Sequence, residues 1–308
     1  MRTVPLSRNI GVEITGINLK KPVDPDTRGE LQSLIDRHHL LSFPGQGLSV
    51  DEQVAFMELF GPKTDEAGRG VFHGYVSNRR LDSGVHHEAA LPWHSDNAWS
   101  PAPTHYIALG GQHVVGDLAP TRFASGVRAA RVLPAELRAQ VQGLRTINMA
   151  DLSPAGEEIP RSRRLMPETR RVLAEVPQDE YYFPRTTYPV IWTHPRTGEE
   201  LLFVHEDMSV RIEGRDAEES EAIFTPLFAI LYDDAHTFEH HWRQDDLVIW
   251  DNIALQHGRP AFHGGAGERT LLRTTINPAQ ELYLTHGRRV ADFAKKRLAE
   301  TEAARSVQ

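Results

Sequence analysis

Trp93-His94-Ser95-Asp96 is the stretch on which the fold turns. On an extended strand, residues two apart project from the same face, so His94 and Asp96 can offer an imidazole and a carboxylate to one point. Trp93 and Trp99 supply a dry wall, and Pro92 sets an extended approach to the strand.

A third donor lies far downstream, in Leu247-Val-Ile-Trp-Asp-Asn-Ile-Ala-Leu-Gln-His257-Gly-Arg259. There a β-branched and aromatic run leads to a histidine beside a glycine turn signal. Two imidazoles and one carboxylate on one side of a metal, with other positions open, are the donor set of non-haem Fe(II) centres. A closed zinc site favours four protein ligands, commonly thiolates, and the chain has no cysteine.

Spacing alone leaves a competitor. His205-Glu206-Asp207 is also His-x-Asp, follows the strand-like Leu201-Leu-Phe-Val204, and lies nearer to His257 in sequence. With sixteen histidines in the chain, most must serve as surface or hydrogen-bonded core residues. His38-His39, His86-His87 and His240-His241 are assigned to that background.

Composition narrows the classes. The 308 residues are 40% hydrophobic and 25% charged, with a formal charge of -8, as in a soluble globular protein. An acidic balance argues against general binding to nucleic acid or anionic membranes, which needs basic patches. Arg161-Ser-Arg163-Arg164 and Arg288-Arg289 are local and read as solvated surface. No apolar run reaches the roughly 18 residues that span a bilayer, and the first residues lack an apolar signal core. A cytoplasmic location is the expectation.

Along the chain, Gly11 to Asn18 alternates as a half-buried strand, and Asp26 to Leu41 carries Leu31, Leu34 and Ile35 at helical spacing. Ser49 with Glu52 is a capping box before a helix bearing Val54, Met57 and Phe60, which Gly61-Pro62 ends. Residues 62–92 read as irregular. Helices are expected over Ala129–Leu144 and Asp216–Leu231, strands over 93–96, 247–250 and 271–277, and an amphipathic end helix through Val290, Phe293 and Leu298. The seven prolines between Asp151 and Arg196 predict a long loop with short helical pieces, of the kind that forms lids. Nothing divides the chain, so one domain over 1–308 is expected, with a lid insertion at about 151–196.

Glu268-Arg269-Thr-Leu-Leu-Arg273 completes the pattern. Arg269 and Arg273 share a face of one presumed strand, and arginine's rigid fork grips a carboxylate at two points.

In this order the motifs resemble the taurine dioxygenase and 2,4-dichlorophenoxyacetate dioxygenase group of Fe(II)/2-oxoglutarate-dependent oxygenases. The resemblance runs from Gly11-Val-Glu-Ile-Thr-Gly-Ile-Asn-Leu19 and Leu41-Ser-Phe-Pro-Gly-Gln46 through Trp93 to Asp96, Ala124-Ser125-Gly126, the Thr193-His194-Pro195 to Gly198 turn, Trp250-Asp251-Asn252 with Gln256-His257, and Arg269 to Arg273. The family places its His-x-Asp near the first third of the chain, which favours His94 and Asp96 over the pair at 205 and 207.

The resemblance implies an α+β, mainly β fold with a double-stranded β-helix (jelly roll) core and surrounding helices. His94, Asp96 and His257 would be the catalytic metal ligands for Fe(II). Thr121 and Arg269 would hold the distal carboxylate of 2-oxoglutarate, with Arg273 close to both cosubstrate and substrate. Substrate-facing candidates are His73, Tyr75, Asn97 and Arg273, although Phe72-His73-Gly74-Tyr75 matches the family's substrate loop only loosely. The implied activity consumes 2-oxoglutarate and O2, releases succinate and CO2, and oxidises a C–H bond of a small organic substrate, anionic if Arg273 binds it. Hydroxylation is the default outcome. Desaturation or cyclisation within the same cycle, and a non-oxidative cupin-like metal protein, are the alternatives. No nucleic acid or membrane partner is implied, and a homodimer or homotetramer is expected.

Overall fold

The structure is a computed structural model, and it describes residues 1–65, 70–80, 90–116, 118–149, 185–261 and 267–279. In chain order the first elements are β1 (Arg2–Pro5), β2 (Val12–Thr15), α1 (Pro25–His38), β3 (Leu40–Phe43), α2 (Val50–Met57), β4 (Gly74–Ser77), β5 (Leu91–His94), β6 (Tyr106–Gly116) and β7 (Thr121–Ser125). Next come α3 (Gly126–Val132), α4 (Ala135–Val141), β8 (Arg145–Met149), β9 (Arg185–Pro189), β10 (Ile191–Thr193), β11 (Glu200–Leu202) and β12 (Ser209–Ile212). The last are α5 (Ala217–Leu231), β13 (Thr237–His240), β14 (Leu247–Asp251), β15 (Leu255–Arg259) and β16 (Gly267–Ile276).

Two sheets dominate. One has seven strands in the order β1-β2-β3-β14-β6-β16-β4, the other four in the order β13-β7-β15-β5. Only the β2–β3 pairing is parallel among those described. β14 explains why Leu247-Val-Ile-Trp reads as a continuous apolar run. Leu247 and Ile249 face the cluster containing Leu31, Ile35, Phe56 and Met57 of the two N-terminal helices. Val248 and Trp250 face the opposite cluster, with Phe123 and Leu255 of the smaller sheet. A strand covered on both faces has no polar side to show.

The N-terminal helices follow their sequence signals. Asp24 caps α1 by accepting from the Thr27 backbone N–H at 2.9 Å, with Pro25 in the first turn. The α1 stripe buries Leu31, Leu34 and Ile35, each worth about 1.5–3 kcal/mol by apolar area. Ser49 and Glu52 close the expected capping box, and α5 carries its own at Asp216 and Glu219.

Several expectations change. The helix expected through Leu41 stops at His38, where His39 turns left-handed at φ 59° and releases Leu40 into β3. The helix expected over 129–144 is two helices, because Pro134 pushes Leu133 to φ -55°, ψ 125°, outside the helical region. Part of the stretch read as irregular forms β4 and the start of β5. At the end of the proline-rich segment, Arg185-Thr-Thr-Tyr-Pro189 pairs with β8 as a strand, its β-branched residues outweighing the nearby prolines. The strand expected from Leu271 begins at Gly267. Most of the expected lid, residues 151–184, and the end helix lie outside the described residues. Among those described, no helix is long and apolar enough to cross a membrane.

Candidate metal centre

β5 and β15 are antiparallel neighbours, and His94 stands directly opposite His257 in their register. Their rings lie 4.2 Å apart, centroid to centroid. His94 directs Nδ1 at the Pro92 carbonyl, 2.7 Å away. Donation from Nδ1 fixes the tautomer that leaves a lone pair on Nε2. That Nε2 is 3.2 Å from Asp96 Oδ1, and His257 Nε2 is 3.8 Å from the same oxygen. One donor atom from each of the three residues falls within 4.8 Å of the others.

The route to this convergence differs from the one read in the sequence. β5 ends at His94, and Asp96 sits in the turn beyond it, so a shared strand face does not aim the carboxylate. Asn252 does. Its Oδ1 accepts from the Asp96 N–H at 2.9 Å, and its Nδ2 donates to the carbonyls of Asp96 at 3.0 Å and Thr104 at 2.8 Å. Asn97 continues the turn at φ 62°, and its side chain donates to Thr104 Oγ1 at 2.8 Å.

Charge is concentrated on Asp96. Burial pushes its carboxyl up, but the Arg273 guanidinium and the two histidines outweigh this and hold it well below the usual carboxylate range. Arg273 donates from Nη2 to Oδ2 at 2.6 Å, which leaves Oδ1 turned toward the imidazoles.

β16 carries both arginines. The extra residue in its pairing with β6 is Gln112, on β6, so β16 keeps its alternation and Arg269 and Arg273 share a face. Arg269 is buried, donates to the Ala119 carbonyl at 2.9 Å, and has its acidity raised by burial and by Arg259 to a pKa of about 10. It stays cationic at neutral pH. Thr121, at the start of β7, is buried and accepts from Trp242 Nε1 at 2.9 Å.

His73 immediately precedes β4, which lies alongside β16 with Gly74 opposite Arg273 and Tyr75 opposite Leu272, so Tyr75 shares the face of Leu272 rather than that of Arg273. A cavity of about 120 Å³ is lined by His73, Phe72 and Arg273. Tyr75 packs edge-on to His73 and lies beneath Arg80.

The competing His205 and Asp207 are not part of the three-residue cluster. His205 is fully buried against Phe203, with neither ring nitrogen hydrogen-bonded among the described residues. Burial, then the charge of His94, lowers its pKa to about 3, so the ring is neutral. Sequence reasoning assigned no role to Tyr232, which organises the scaffold around it. Tyr232 stacks on Trp93 at 5.1 Å and donates to Gln256, which donates to the Val204 carbonyl. This ties together the residues that precede His94, His257 and His205.

A second network sits behind Asn252. Asp251 is buried between His194, at 3.0 Å, and Arg196, at 2.5 Å. Burial opposes its charge, yet these partners lower its pKa to about 2. Its neighbour Asn252 carried the missed positioning function, and the only signal was its place in Trp-Asp-Asn.

Comparison with known proteins agrees with this geometry. Residues 2–275 match the family model described as taurine catabolism dioxygenase TauD, TfdA family. The chain is 25% identical over 293 residues to the α-ketoglutarate-dependent 2,4-dichlorophenoxyacetate dioxygenase of Cupriavidus pinatubonensis, covering 89% of this chain and 97% of that one. It is 26% identical over 254 residues to an α-ketoglutarate-dependent sulfate ester dioxygenase of Pseudomonas putida, covering 82% of each. The crystal structure of a taurine dioxygenase from Burkholderia xenovorans shares the fold, with a TM-score of 0.72 at 24% identity over 90% of each chain. With the family model spanning nearly the whole chain, this protein belongs to the TauD/TfdA family of 2-oxoglutarate-dependent dioxygenases.

Proposed function

We propose that His94, Asp96 and His257 hold Fe(II), that Arg269 and Thr121 bind the distal carboxylate of 2-oxoglutarate, and that Arg273 faces the substrate. The observation that carries this reading is the convergence of two imidazole nitrogens and one carboxylate oxygen within 4.8 Å, the donor set of a facial triad. The residues fit the ion: Nε2 of His94 is free to ligate because Nδ1 is engaged, and Asp96 is held as an anion.

When bound, iron and 2-oxoglutarate supply the oxidising chemistry, which consumes O2 and releases succinate and CO2. This chain's residues bind, orient and exclude water. Asn252 fixes the Asp96 backbone, and Arg273 selects which carboxylate oxygen faces the metal. Arg269, buried and cationic, offers charge-assisted hydrogen bonds to a carboxylate in a site of low dielectric. We infer that the seven- and four-stranded sheets are the walls of a jelly roll within one domain. N-terminal β3 and C-terminal β14 and β16 belonging to one sheet supports this.

The substrate we infer is a small organic anion in which the oxidised C–H lies near the charge. Arg273 supports it, because its guanidinium sits beside Asp96, at 2.6 Å, and lines a cavity with Phe72 and His73. The relatives named for 2,4-dichlorophenoxyacetate and for sulfate esters set the test panel. Purified protein with Fe(II) and 2-oxoglutarate is offered aryloxyalkanoates, alkyl sulfates and sulfonates, and products are followed by mass spectrometry. Succinate formed in step with a gain of oxygen on one of these anions is expected. Coupled oxidation confined to uncharged compounds would refute the anionic assignment, and absence of succinate even without substrate would refute the metal site.

A further inference from the structure

Three distant segments meet around a second cavity of about 250 Å³: the turn at residues 7–10, the end of α1 and the start of α3. Arg8, Arg37, Arg128 and Arg131 line it together with His38 and His39, and among the described residues no aspartate or glutamate does. This runs against a composition of 42 acidic to 34 basic residues. Glu199 pairs with Arg131 and His39. Arg8, Arg37 and Arg128 have no carboxylate at ion-pair distance among the described residues.

The guanidinium groups of Arg8, Arg37 and Arg128, which Glu199 does not pair, repel one another, a cost that a shared anion reverses. Arg128 adds a specific feature: its Nε is buried from solvent and has no hydrogen-bond acceptor among the described residues. The wall is preorganised, since Ser7 Oγ is 2.8 Å from both the N–H and the carbonyl oxygen of Ile10. Gly11 follows at φ 81°, where a Cβ would meet Leu6 and Leu40 at 2.9 Å. Burial, and after it the neighbouring Arg37 and His39, hold His38 below the usual histidine range.

The cavity is apart from the metal centre. Ile10 in its wall belongs to the apolar cluster of Phe123 and Trp250, and Trp250 in turn packs 4.9 Å from His257. Its volume falls below the roughly 300–1,000 Å³ of drug-sized ligand sites, which suits a compact ion.

We propose that this cavity binds a compact, multiply charged oxyanion of the phosphate or dicarboxylate kind. The test is isothermal titration of the full chain at low ionic strength, with Mn(II) and N-oxalylglycine added to fill the metal centre. Inorganic phosphate, pyrophosphate and succinate are titrated separately. Saturable one-to-one binding of at least one is expected, with Kd below about 1 mM, and the ion that binds distinguishes phosphate from dicarboxylate. An Arg37→Met/Arg128→Met variant should bind at least about tenfold more weakly, and Arg37→Met alone, an exposed change, should weaken binding in the same direction. An Arg2→Met/Arg215→Met control removes the same charge elsewhere and should leave affinity unchanged. No saturable binding by any of the three ions, or equal weakening in the control, would overturn the proposal. The arginine variants leave the metal-centre residues in place, so failure of this proposal is distinguishable from failure of the oxygenase reading.

Discussion

Asn252 grips both backbone polar groups of Asp96, accepting from its N–H at 2.9 Å and donating to its carbonyl at 3.0 Å. A turn residue is thereby held as firmly as one in a sheet. Because the partner comes from the loop between β14 and β15, the carboxylate and His257 are positioned by one short segment.

Asn252→Asp keeps the acceptor but removes the donor and sets a carboxylate against two carbonyls. Mn(II) affinity should fall by about 10–100-fold, the usual cost of losing a partner that orients a metal ligand. Metal titration followed by fluorescence checks this against Asp251→Asn, which should lower thermal stability while leaving Mn(II) affinity within about twofold. Equal affinity losses in both would assign Asn252 a general structural part only.

Removing a proposed ligand is more severe. Asp96→Ala and His257→Ala should abolish iron-dependent succinate formation while retaining a cooperative melt, since both residues lie at the edge of the core rather than inside it. Normal turnover by either purified variant would disprove the assignment.

Arg269→Ala should raise the 2-oxoglutarate KM by at least about tenfold, equivalent to about 1.4 kcal/mol. Steady-state succinate release against 2-oxoglutarate concentration measures it. An unchanged KM would move the anchor to Arg273.

Asp251 gives a pH signature. Its folded pKa, about 2, lies below the roughly 3.9 of an unfolded aspartate. Its contribution is therefore full above the unfolded value and is lost as pH falls toward 2. The amount is on the order of 2 kcal/mol. Chemical denaturation from pH 6 to 2.5 should show Asp251→Asn with a flatter acid limb than the unchanged protein; parallel limbs would contradict the His194–Asp251–Arg196 arrangement.

His205 carries two unbonded ring nitrogens in a dry environment, and removing such groups is stabilising where shape is kept. In the metal-free protein His205→Leu should raise stability by about 1–3 kcal/mol. A lower melting temperature would show that the imidazole meets a partner after all.

Much of this protein was determined by the local sequence. Capping residues at Asp24, Ser49 and Asp216, the stripes of α1 and α5, and the two-faced apolar run of β14 are short-range patterns, because hydrogen-bond geometry and side-chain periodicity act within a few residues. The order of His-x-Asp, distal histidine and paired arginines also identified the residues to examine. Proline content misled where tertiary pairing outweighs it, as at Arg185–Pro189, which is a strand because β8 lies beside it. Only the tertiary structure decided that His257 stands opposite His94, that Asn252 rather than a strand face aims Asp96, and that His205 lies outside the cluster. The first depends on the register of two strands, and the others on turns and loops that the folded sheets bring together; side-chain spacing within one segment carries no record of which segment will be its neighbour.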